Sequence, residues 1–140
     1  MNANPTAPAF LVVVHGIDIV DVQEYARLLD PATKAHLNTT FTAQELEECG
    51  DNERTAQRLA GRFATKEAVL KALSLPFGDG VAFLDVEILT NETGAPAIIT
   101  ARKVLERALH LGIQSWLVST SHTSTTAIAS VIGVRAPVIQ

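Results

Sequence analysis

The chain has 140 residues, 47% hydrophobic, 19% charged and 5% aromatic, the composition of one globular domain with an aliphatic core rather than a disordered or fibrous chain. Its formal net charge of −4 gives no general attraction for nucleic acid, so any anion site has to be local. The single cysteine, Cys49, excludes an intrachain disulfide and a cysteine-based zinc site. The early apolar run is too short for a membrane span or a signal sequence, which makes the cytoplasm the expected setting.

Residues 1–9, rich in Pro and Ala, read as a loose arm before a single domain over 10–140. Phe10 to Val20 is apolar and β-branched and predicts a buried strand. Asp21, followed by Glu24, opens a short helix to about Leu29, which Pro31 limits; Thr42-Ala43-Gln44-Glu45 is a second capping box, opening a helix toward Cys49-Gly50. The longest helical pattern runs from about Glu53 to Leu75 and is closed by Pro76 and Gly78. It carries Ala56, Ala60, Ala64, Ala68 and Ala72 at four-residue spacing, a row of small side chains that lets the helix lie tightly across a sheet. Arg54, Arg58, Arg62 and Lys66 recur at the same interval and are expected on its free faces. Val81 to Thr90 and Pro96 to Thr100 predict a hairpin around Asn91–Ala95; Ala101 to Leu111 predicts a helix ending at Gly112, and Ser115 to Thr120 and Thr126 to Val134 two last strands. The expected fold is α/β (α+β), an antiparallel β-sheet packed against a long central helix.

Asp18 lies within the strongest apolar run, where an unpaired carboxylate would be costly to desolvate, so it either caps a turn or binds a metal. Glu67 and Lys71 are four residues apart and share a helix face. Two carboxylates with phosphate oxygens and water make a typical magnesium site, so Asp18 and Glu67 together gain a meaning that neither has alone. Arg54 and Arg58 read as a solvated surface, Arg62 and Lys66 as anion contacts. Ser119-Thr120-Ser121-His122 lacks the acid and the elbow of a hydrolase triad, leaving His122 to bind phosphate or cap a turn. His15, His36 and His110 have no metal-ligand spacing.

In order and spacing, Gly16-Ile17-Asp18-Ile19-Val20, Phe41-Thr42 with Glu45, Arg62-Phe63-Ala64-Thr65-Lys66-Glu67-Ala68 with Lys71-Ala72, Gly94 with Pro96, and Val118-Ser119-Thr120-Ser121-His122 resemble the small bacterial type of phosphopantetheinyl transferase, the holo-[acyl-carrier-protein] synthases. The resemblance spans most of residues 12–134. It implies transfer of the phosphopantetheine arm from coenzyme A to a serine of an apo acyl carrier protein, or of a carrier domain, leaving adenosine 3′,5′-bisphosphate. It implies a catalytic set of Asp18, Glu67 and Lys71, with Mg²⁺ on Asp18 and Glu67. It implies coenzyme A contacts at Arg62, Lys66, Lys71, Gly94, Pro96 and His122, and a homotrimer whose clefts hold the ligand. The general base stays open between Glu67 and a metal-polarised water. One departure is Glu24, where similar proteins commonly carry an arginine for the carrier; Arg27, three residues on, lies on roughly the same face. The competing reading is a non-catalytic coenzyme A or nucleotide-binding module, and neither reading expects a nucleic-acid or membrane partner.

Overall fold

The N-terminal apolar run forms β1 (Leu11–Asp21), which pairs antiparallel with β5 (Thr126–Arg135), and β5 pairs antiparallel with β4 (Ser115–His122). The computed structural model describes residues 9–137, so the arm expected over 1–9 lies, apart from Ala9, outside the described residues. Side chains alternate across the sheet, so the strand expected to be buried is covered on one face only, with Ile17 and Ile19 exposed on the other. Ala127, Ala129 and Val131 of β5, with Gly16 and Val20 of β1, are buried on the face covered by α3 (Thr55–Ala72). Close approach is built in: a Cβ placed on Gly16 would sit 2.0 Å from the Ala68 carbonyl oxygen. Ala60, Ala64 and Ala68 are wholly buried, as the row of small residues requires.

The remaining elements wrap α3. Asp21 caps α1 (Val22–Leu28) by accepting a hydrogen bond from the Gln23 amide at 2.9 Å, and α1 packs on α3. Thr42 and Glu45 complete the expected capping box of α2 (Ala43–Cys49). The hairpin of β2 (Val86–Thr90) and β3 (Pro96–Thr100) is a separate two-stranded sheet, followed by α4 (Arg102–His110). The strand expected from Val81 begins only at Val86. Val81 makes an isolated bridge to Gly78, and Phe83–Asp85 forms a 3₁₀ turn in which the Asp85 carboxylate accepts from the Ala82 amide, removing these residues from the ladder.

Lys66, expected on a free face of the long helix as a ligand contact, is buried instead. Four residues make slightly more than one turn, so each step of the Arg54, Arg58, Arg62, Lys66 series drifts about 40° round the axis, and the last member turns into the interior. Its ammonium is fully buried, 2.8 Å from Glu45 Oε1, and donates to the Phe83 and Val86 carbonyls. Glu45 also accepts from the Thr42 and Ile88 amides, so this ion pair fastens α2, α3 and the hairpin together. Lys66 therefore faces no solvent from which a ligand phosphate could reach it. Lys66→Met leaves the Glu45 charge buried without its partner and is expected to cost about 3–5 kcal/mol, read as a lowered urea midpoint.

Candidate functional site

β1 and α3 bring Asp18, Glu67 and Lys71 together where Gly16 lets strand and helix touch. Lys71 Nζ donates to Asp18 Oδ1 at 2.5 Å, the ammonium largely exposed and the carboxylate largely covered. That hydrogen bond holds the Lys71 ammonium above its ordinary pKa. Partial burial pushes the Glu67 carboxyl up, the Asp18 charge pushes it further, and Lys71 only partly opposes them. The cluster is therefore short of positive charge. Tyr25 of α1, buried beside it, has its phenol pKa raised by burial and by the charges of Glu24, Glu67 and Asp18. The phenol stays neutral, and its ring packs on Phe41 and Phe63. Sequence inspection missed Tyr25, whose only signal was an apolar position on α1.

Among the described residues no group of three or more His, Cys, Asp or Glu side chains is placed to hold a metal by itself. Two carboxylates fit an ion that takes most of its ligands from water and phosphate, and Mg²⁺ does so. Burial first and the Asp18 charge second raise the Glu67 carboxyl, while Lys71 is drawn onto Asp18, so the two acids share one nearby ammonium.

A second feature is a groove of about 540 Å³ between α3, the hairpin and the end of β4, within the range that holds small ligands. Arg62, Gly94, Pro96 and His122 all line it. Arg62 is not a free cation there: its Nε donates to the Ile88 carbonyl at 3.0 Å, Nη1 to Cys49 Sγ at 3.1 Å, and Nη2 to Glu48 Oε1 at 2.8 Å. Burial works against the Glu48 charge, but hydrogen bonds from Thr90 and the Arg62 guanidinium outweigh it and hold the carboxyl below its usual range. Burial also raises the Cys49 thiol, which stays neutral. Glu48 is the other residue missed from the sequence, where it reads as one more acid on a capped helix.

The structure thus sorts the expected site residues into two clusters, Asp18 with Glu67 and Lys71, and the groove with Arg62, Gly94, Pro96 and His122. Arg62 and Glu67 are separated by about 140° round the α3 axis. Residues 15–129, which include both clusters, match the model of the 4′-phosphopantetheinyl transferase superfamily. The chain belongs to this superfamily. The transferase is 37% identical over 117 residues to the holo-[acyl-carrier-protein] synthase of Geobacter sulfurreducens, covering 84% of this chain and 93% of that one. It is 37% identical over 117 residues to the synthase of Verminephrobacter eiseniae, covering 84% and 89%. Among solved structures, the Helicobacter pylori synthase in complex with coenzyme A superposes with a TM-score of 0.72 at 32% identity, covering 85% of this transferase and 98% of that chain. Among the described residues, no helix of the transferase is long and apolar enough to cross a membrane.

Proposed function

We propose that residues 10–140 form a phosphopantetheinyl transferase domain that moves the 4′-phosphopantetheine group from coenzyme A to a serine of an apo acyl carrier protein or carrier domain in the cytoplasm. The observation that carries this reading is the Asp18–Glu67 carboxylate pair, brought together on a glycine-seated helix in a chain of this superfamily. Asp18 and Glu67 would hold Mg²⁺, which when bound supplies Lewis acidity at the pyrophosphate and offsets charge on the leaving phosphate. Lys71, exposed and, among the described residues, anchored through Asp18 and the Ile17 carbonyl alone, is the side chain to turn to a phosphate oxygen. The groove, with Gly94, Pro96 and His122 in its walls, takes the nucleotide end.

Self-assembly joins the two clusters. Ile17 and Ile19 of β1 and Leu117 of β4 lie on the sheet face away from α3 and are 51%, 67% and 58% exposed. Such an apolar face calls for a partner, and in this reading it is buried in a homotrimer. The groove of one protomer then lies against the carboxylate pair of the next, which accommodates their separation round α3. Arg27 and Glu24, both exposed on α1, are the charges on the helix proposed to meet the carrier.

The reading is tested by the appearance of the phosphopantetheine mass on an apo carrier. A pH series adds a finer check. With Glu67 raised, its proton competes with the metal above the ordinary glutamate range, so activity falls as pH drops through that raised value. Because the ion binds only the ionised carboxylate, the acid limb should move to lower pH as Mg²⁺ is increased. A limb that stays fixed over a hundredfold range of Mg²⁺ contradicts the assignment of Glu67 as a ligand.

A further inference from the structure

We propose that Glu48 sets the groove's preference for a phosphate on the nucleotide, by holding the Arg62 guanidinium to the wall and leaving that phosphate to Arg54 and Arg58. The inference rests on the groove being the nucleotide end of the site. Of the five N–H groups of a guanidinium, four of Arg62's are engaged, with Ile88, Cys49, Glu48 and the Thr90 hydroxyl. Its side chain is only 12% exposed, and the acid that neutralises it is 21% exposed on the same wall. Glu48 Oε1 also accepts from the Thr90 amide at 2.8 Å, so α2, α3 and β2 are tied at one oxygen.

An approaching phosphate therefore meets a neutralised pair, with a carboxylate as part of its surface. Breaking that pair to free Arg62 would strand Glu48 beside the ligand's own negative charge. Arg54 and Arg58 differ. Both are exposed, both line the groove, and they stand four residues apart, Arg54 as the residue capping α3 and Arg58 in its first turn. Among the described residues the Arg54 guanidinium has no partner, and Arg58 has one long contact, Nη1 to the Cys49 carbonyl at 3.5 Å. One unpaired and one loosely held guanidinium offer the forked donors that a phosphate monoester accepts. Glu48 is thus a positioning residue, acting on the ligand through Arg62.

Glu48→Gln separates charge from shape, since the amide oxygen can still accept from Thr90 while the negative charge is gone and Arg62 regains its field in the groove. Binding of adenosine 3′,5′-bisphosphate and of adenosine 5′-monophosphate is measured by calorimetry on the full chain at two salt concentrations. The variant is expected to bind the bisphosphate about fivefold or more tightly, with a steeper salt dependence, and the monophosphate within twofold of the parent. Arg54→Ala with Arg58→Ala is expected to weaken the bisphosphate about tenfold and leave the monophosphate within threefold. An unchanged ratio of the two affinities in Glu48→Gln overturns the inference. So does a weakened bisphosphate, which would mean that Glu48 presents Arg62 to the phosphate instead of withdrawing it. Carrier modification by the parent protein is assayed alongside. Full turnover with an unchanged ratio refutes this inference alone, whereas no carrier product removes the functional reading and the inference with it.

Discussion

Glu67→Gln is expected to lower kcat/KM for carrier modification about a thousandfold while raising the melting temperature of the metal-free protein. The two effects have one origin. Glu67 is pushed up by burial and by Asp18, so in the folded protein its negative charge sits where it is disfavoured. The sign follows from linkage. The folded state holds the proton more tightly than the unfolded chain, so stability falls as pH rises from the ordinary glutamate value through the raised one, and above that window the loss is fully present. A glutamine of the same shape carries no charge to desolvate, and at neutral pH the loss disappears. Charge stabilisation by a bound metal amounts to several kcal/mol, and each ~1.36 kcal/mol is tenfold in rate, which sets the scale of the kinetic loss. Melts with and without Mg²⁺ separate the roles: the ion should stabilise the parent protein and leave Glu67→Gln unmoved. A variant that melts lower than the parent without metal, or is still stabilised by Mg²⁺, contradicts this account.

Gly16→Ala is expected to damage stability and activity together. The added Cβ would lie 2.0 Å from the Ala68 carbonyl oxygen and 3.0 Å from Ala72 Cβ. The first of these is helix backbone, which cannot rotate out of the way as a long side chain would. Overpacking of this kind costs about 1–3 kcal/mol. The displacement acts at the most sensitive place, because Gly16 is two residues from Asp18, and Ala68 adjoins Glu67. Separating the carboxylates by ~1 Å is expected to cost about a hundredfold in kcat. Denaturant unfolding and steady-state rates measured under conditions where the variant is fully folded distinguish this from simple loss of folded protein. A folded Gly16→Ala with parental kcat would mean that the strand-to-helix distance does not set the site.

Local signals made most of the fold legible. The capping box at Thr42 and Glu45, the alanine row and the Asn91–Ala95 turn each act within a few residues, and each has its expected counterpart. Two readings failed where the deciding partner was distant in sequence. Val81 to Asp85 has strand-like residues, but the bridge to Gly78 and the Asp85 side chain turn the backbone away from the ladder. Lys66 belongs to a regular series of cations, yet Glu45 and the Phe83 and Val86 carbonyls make a polar socket that no helical periodicity announces. The nearness of Asp18 to Glu67 was also beyond periodicity, since it depends on β1 meeting α3 at Gly16. Composition supplied no hint that Glu48 would neutralise Arg62, because the pair joins two helices across the groove wall.

In the proposed function, phosphopantetheine transfer to a partner's serine depends on Asp18 and Glu67. Its most direct test is intact-mass spectrometry of several apo acyl carrier proteins incubated with the full chain, coenzyme A and Mg²⁺. At least one carrier is expected to gain one phosphopantetheine group on its serine, with adenosine 3′,5′-bisphosphate released in equal amount and both suppressed by EDTA or Glu67→Gln. Coenzyme A binding without any mass gain on any carrier, and indifferent to Mg²⁺ and to Glu67→Gln, would contradict the proposed function and leave a nucleotide-binding module in its place.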